Sequence, residues 1–166
     1  MHGLSHFRSI AEGTLLFREY VGLLRDLHTY HATIGAAAKG IGASHLSSSI
    51  DRASLLEADI RHLGGHVPVS LPVWSLATVE RMLGALYVAE GSMLGGRVLA
   101  RQLDYLFPDG ADGRSFFIGS SDDHINWQIL LATIEGEYRD SLSLEAMIGG
   151  AHAGFELFEN IVGTTN

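Results

Sequence analysis

A chain of 166 residues with 46% hydrophobic content and three prolines suffices for one core and is short for two, and no stretch is polar enough to act as a disordered linker, so residues 1–166 read as a single domain. A formal charge of −8 argues against phosphate backbones and anionic membrane surfaces, both of which need clustered Lys and Arg, and so against nucleic acid or a membrane as partner. The absence of cysteine excludes disulfides, thiolate metal sites and a cysteine nucleophile; with no signal-peptide pattern at Met1–Arg8 and no run of about 18 apolar residues, the expectation is a cytoplasmic protein.

The elements read as helices. Thr14 is a candidate N-cap for a long amphipathic helix in which Leu16, Phe17, Tyr20, Leu23, Leu24, Leu27, Tyr30, His31 and Ile34 recur at helical steps until Gly40 and Gly42. A second helix starts in the Ser47–Ser49 cluster, carries Ile50, Ala53, Leu56 and Ile60, and stops at Gly64 and Gly65. Pro68 and Pro72 mark an extended connection. Ser75 is then expected to cap a long helix through Val79, Met82 and Leu86 to about Leu106, with Pro108 just beyond. Pro108 to Asp122 reads as a loop pinned by Phe116 and Phe117. Asp122 or Asp123 caps a helix through Trp127, Leu130, Leu131 and Ile134, and a last helix carries Met147, Ile148, Ala151, Phe155, Phe158 and Val162. No useful strand alternation, internal repeat or low-complexity tract is present.

The informative segment is Leu86–Leu99, where Gly91, Gly95 and Gly96 interrupt an otherwise helical pattern. Each costs roughly 1 kcal/mol against alanine in a helix interior, about 2 to 3 kcal/mol together. Gly91 and Gly95, four apart, stack on one face of a regular helix and leave a strip of bare main chain. Close helix packing, a kink, or a flat ligand against the backbone would each account for such a strip.

The order of elements and these residues resemble the bacterial heme oxygenases, in particular the type that accompanies bacteriophytochromes. Ile10–Gly13 followed by Tyr20–His28 is similar to that family's second helix and its lead-in. Tyr87–Leu99 is similar to its distal helix, and Ser115–Phe117 followed by Trp127 to the stretch after it. The resemblance implies an all-α, single-domain multi-helical bundle with a glycine-kinked distal helix. It implies heme b, as substrate and cofactor, lying against Gly91 and Gly95, with Tyr87, Ser92, Gly96, Arg97 and Arg101 also in the binding site. An arginine suits the heme propionates geometrically, with Arg114 a third candidate beside Arg97 and Arg101.

In related chains a proximal histidine on the first helix binds the iron. Counting back from Gly3–Phe7 puts that position just upstream of Met1, so the proximal-histidine segment is expected to be missing here. His2 is then the candidate iron ligand and His6, a turn further on, a weaker one; turnover by the chain as written is expected to be slow or absent. Other readings of single residues stay open. His28 with His31, and Asp59 with His62, have metal-ligand spacing but also suit packing or surface roles. Glu90 is a general acid or a paired carboxylate.

Two functions follow from the resemblance. One is heme oxygenase, opening heme to biliverdin, carbon monoxide and ferrous iron. Since the chain has no nucleotide motif of its own, electrons would come from a reductase or ferredoxin, and the resemblance adds a bacteriophytochrome as a partner. The other is a non-catalytic heme- or tetrapyrrole-binding or signalling module of the same fold that has lost the proximal ligand.

Overall fold

The computed structural model describes residues 3–107 and 112–163, without the side chains of residues 3, 4, 49 and 50. Among the described residues there are helices, turns and extended connections and no strand, so the all-α expectation holds. His2 and Pro108 lie outside the described residues, as does the Ile50 side chain.

Helix α1, Gly3–Ala11, is an addition to the elements read from the sequence. Helix α2, Phe17–Gly40, starts at Leu16, whose N–H donates to the Glu19 carboxylate at 2.8 Å. Thr14 is not the cap; its hydroxyl donates to the Ser9 carbonyl at 3.4 Å. Tyr20, Leu23, Leu24, Leu27, Tyr30, His31 and Ile34 are buried as the periodicity predicts, whereas Leu16 and Phe17 stay about half exposed at the helix start. Helix α3, Ser49–His62, ends on Gly64, whose φ of +75° is one that glycine adopts without strain.

Helix α4 spans Val79–Gly91, and its cap is Thr78, whose hydroxyl accepts from the Arg81 N–H at 3.3 Å. Ser75 is displaced from that role because Leu76 is buried against the core, which holds the chain extended past it. The expected single helix to Leu106 is broken. A 3₁₀ turn at Ser92–Gly95 separates α4 from α5, Gly96–Gln102, and a second one follows at Asp104–Leu106. Within the expected loop, Ser115–Ile118 form the short helix α6, with Phe116 and Phe117 buried. Helix α7, Asp123–Glu137, and helix α8, Ser141–Val162, follow. The latter is capped by Asp140, whose carboxylate accepts from the Ser143 N–H at 2.9 Å.

The tightest packing lies between α4 and α8. A Cβ on Gly84 would stand 1.8 Å from the Met147 carbonyl oxygen, and one on Gly150 1.8 Å from that of Arg81, so the two backbones touch only because neither residue has a side chain. This contact runs along Met147, Gly150, Gly154 and Leu157. Ile148 and Phe155, expected in the core, sit one residue off that line and are 49% and 57% exposed. One buried cluster surrounds α4 and α8 with the second half of α2, and another joins α1, α3, α5 and α6 to its first half.

Candidate functional site

The glycine segment begins where α4 ends. Gly91, Gly95 and Gly96 have φ values of −62°, −88° and −55°, all open to any L residue, so space and not backbone conformation explains them. The Ser92 hydroxyl donates to the Ala89 carbonyl at 2.8 Å, competing with the helical ladder where the winding tightens. With about three residues per turn after Gly91, Gly91 and Gly95 no longer stack as in a straight helix.

Each glycine meets something different. A Cβ on Gly96 would lie 2.8 Å from the Phe117 carbonyl oxygen, so Gly96 admits the α6 backbone. A Cβ on Gly91 would lie 3.4 and 3.6 Å from Cη2 and Cζ3 of Trp127, ordinary contact with the indole edge. A Cβ on Gly95 would meet nothing within 4 Å, and Gly95 is exposed. Gly91 is therefore covered by an aromatic edge and Gly95 is open. Tyr87, 48% exposed, packs its ring against Trp127 with centroids 5.3 Å apart and an interplanar angle of 42°.

Buried charge stands directly behind the strip. Glu90 and Arg52 are 5% and 3% exposed; Arg52 Nη2 lies 2.9 Å from Glu90 Oε2, and its Nε donates to the same oxygen at 3.0 Å. The Ser48 hydroxyl donates to that oxygen too, at 2.5 Å, while Glu90 Oε1 and Arg52 Nη1 are buried without a protein partner. Glu90 is thus a paired carboxylate. Arg52 is a site residue that sequence reading missed, although it shares a helical stripe with buried Leu56, Asp59 and Ile60, and a charge on such a stripe is a signal. The pair lines a cavity of about 250 Å³ with Met93, Arg97, His124 and Trp127.

The arginines divide. Arg114 is buried and committed to structure: it donates to the Ala100 carbonyl at 2.6 Å, pairs with Asp104 at 2.5 Å and lies over the Phe107 ring, which removes it as a propionate partner. Arg97 is exposed and makes only long bonds, 3.3 and 3.4 Å, to the Ile118 and Ser120 carbonyls. Arg101 is exposed on the same helix.

Neither metal-spaced pair is a metal site here. Both Asp59 oxygens accept main-chain N–H groups at the start of α6, from Ser115 at 3.0 Å and Phe116 at 2.9 Å, and His62 is exposed. His31 is fully buried, edge-on to Tyr30 and Phe116, with both ring nitrogens unpartnered; burial, then the Arg52 charge and His28, push its pKa down to about 3. Among the described residues no three His, Asp or Glu side chains are arranged to hold a metal ion. His6 on α1 is half-buried with Nδ1 unpartnered. On that side of the glycine segment Phe7, Ser92, Gly96 and Phe158 enclose only about 40 Å³, too little for a flat macrocycle. On the other side, main chain is open at Gly95, where an added Cβ would meet nothing within 4 Å.

The chain is similar to a heme oxygenase of Xanthomonas campestris pv. campestris (strain 8004), 35% identical over 107 residues, a stretch that covers 64% of this chain and 64% of that protein. No protein-family profile matches the chain. Among the described residues no helix is long and apolar enough to cross a membrane.

Proposed function

We propose that residues 1–166 form one heme oxygenase-like domain that binds heme b on the Gly91–Gly95 strip and opens it to biliverdin, carbon monoxide and ferrous iron, with electrons from an external reductase or ferredoxin. The observation that carries the reading is main chain left bare at Gly95 and walled by Trp127 at Gly91, in a chain similar to a heme oxygenase. Heme, when bound, supplies the oxygen chemistry; the protein supplies orientation and exclusion.

Each residue has a part in that division. Gly95 lets the backbone approach the macrocycle, Gly91 leaves room for the Trp127 edge beside it, and Gly96 fixes how closely α6 packs on the segment. Tyr87 extends the apolar wall through Trp127. Ser92 has its proton directed at Ala89, which leaves oxygen lone pairs as its remaining capacity. Arg97 and Arg101 are the cations for the propionates, both exposed, neither locked in a buried pair. His2, outside the described residues, is the iron ligand of this proposal. The resemblance of Tyr87–Leu99 to heme oxygenases of the type that accompanies bacteriophytochromes makes such a photoreceptor the proposed recipient of the bilin.

A second reading is a non-catalytic heme- or tetrapyrrole-binding or signalling module of the same fold that has lost the proximal ligand. Incubation of the chain with hemin, a ferredoxin reducing system and oxygen separates the two. Loss of the Soret band with growth of a biliverdin band supports the oxygenase. Hemin bound without product selects the binding module, and no hemin binding overturns both.

A further inference from the structure

We propose that the extended connection between α3 and α4 is an open strand edge on which a second copy of this chain pairs antiparallel, with the two-fold axis at Ser70, so that the chain forms a homodimer through main-chain hydrogen bonds. The proposal is independent of which ligand the bundle takes. Residues 65–76 run without turn or bend, a course that Pro68 and Pro72 favour by keeping Val67 and Leu71 out of the helical region. The connection is fixed at both ends: Val67 packs on the cluster that holds Leu56 and Ile60, while Trp74 and Leu76 pack in the cluster around α4 and α8. Between these anchors it lies bare. Val69 and Val73 are fully exposed and Leu71 is 37% exposed. Among the described residues no main-chain group of residues 67–73 has a protein hydrogen-bond partner. An extended segment with unmet N–H and C=O groups is a template for a further strand.

The prolines choose the edge. In an extended chain, residues two apart present their N–H and C=O groups to the same side. Pro68 and Pro72 have no N–H, so the side they share with Ser70 lacks donors. The opposite side belongs to Val67, Val69, Leu71 and Val73, each of which keeps both a donor and an acceptor. Valine is also among the residues that favour strands. This edge is complementary to itself. With Ser70 opposite its counterpart in the second copy, Val67 faces Val73 and Val69 faces Leu71, so every hydrogen-bonded pair along the seam is apolar. Charge selects the same occupant. The chain carries a net −8, yet residues 65–77 contain no Asp, Glu, Lys or Arg, and two copies can meet along this edge with no like charges across it.

A single two-stranded contact is weak, so the dimer is expected to be half formed at about 100 μM. Sedimentation velocity between about 5 and about 500 μM is expected to show the apparent mass rising from one chain toward two, and the mass of one chain throughout overturns the proposal. The register is tested with a thiol, since the chain has no cysteine. Facing residues that do not hydrogen-bond to each other have Cα atoms about 4.5 Å apart, within reach of a disulfide. With oxidised glutathione, Ser70→Cys is expected to form a covalent dimer about tenfold faster than Ser141→Cys, an exposed control on α8. Equal rates overturn the pairing. Val69→Pro removes an N–H from the pairing edge at a fully exposed position, where the fold has nothing to lose, and is expected to weaken association about tenfold. Association of wild-type strength in that variant would mean that the main chain of this edge is not what joins the two copies.

Discussion

Along the seam between α4 and α8, Gly84 and Gly150 are present because the opposing backbone occupies the place of a side chain, whereas at Gly95 the same place is empty. Both regions involve one helix and its continuation, and in sequence both are glycines in a helical pattern. The difference teaches that close packing and bare main chain, which compete as explanations for Gly91 and Gly95, are both used in this chain at different addresses. Packing belongs to Gly84, Gly150 and Gly96; the open strip belongs to Gly95, with Gly91 under an indole.

The largest expected effect tests the sealed side. Gly150→Ala forces a methyl group into the Arg81 carbonyl and is expected to destabilise the fold by about 3 kcal/mol in a denaturant titration; a loss below about 1 kcal/mol would show that the seam can open. Glu90 stands between the two regions. Glu90→Ala leaves Arg52 buried without its main counter-charge and is expected to cost about 3 kcal/mol, while Glu90→Gln, which keeps an acceptor, costs less.

An acid titration distinguishes the sealed interior from the open strip. The His31 pKa is depressed in the folded chain, so the unfolded chain takes up the proton first; its contribution to stability is complete above about pH 6.5 and is lost as pH falls toward about 3. The slope from this residue reaches about 1.4 kcal/mol per pH unit, and His31→Phe is expected to flatten the pH dependence in that window. A variant with the wild-type slope would mean that His31 is protonated in the folded state.

On the strip, ligand and stability separate. Gly91→Val is expected to lower hemin affinity about tenfold or more while costing about 1 kcal/mol of stability, and Gly95→Leu to behave alike. Equal loss of both would return Gly91 to the packing class. The smallest effect is the most diagnostic of empty space: Gly95→Ala is expected to change stability by no more than about 1 kcal/mol, in the stabilising direction, because nothing stands within 4 Å of the added methyl.

Helix identity was legible because apolar spacing and glycine stops agree, as in α2 between Leu16 and Gly40 and in α3 up to Gly64. The starts were less so. A hydroxyl at Ser75 and one at Thr78 look alike in sequence, and burial of Leu76, a long-range fact, chooses between them. Periodicity ran through the glycine segment as though the helix were whole, since Val98 and Leu99 continue the pattern, and the change in winding comes from local hydrogen-bond competition at Ser92. The aromatic pinning by Phe116 and Phe117 could be anticipated from their apolar pair in a polar loop. The Arg52–Glu90 pair and the meeting of Trp127 with Gly91 link residues far apart in sequence, and no spacing rule reaches across such distances.

The anchoring of α7 has a consequence for exchange with solvent. Of its 15 residues only Leu130 is fully buried, against twelve buried positions in α2, so little apolar surface must be exposed to release it. Its amide protons are therefore expected to exchange with deuterium sooner than those of α2, through an opening that leaves the rest of the bundle folded. Because Trp127 travels with that helix, every such opening uncovers Gly91, and the aromatic cover of Gly91 has an opening free energy of its own, set by one leucine and a few half-buried neighbours.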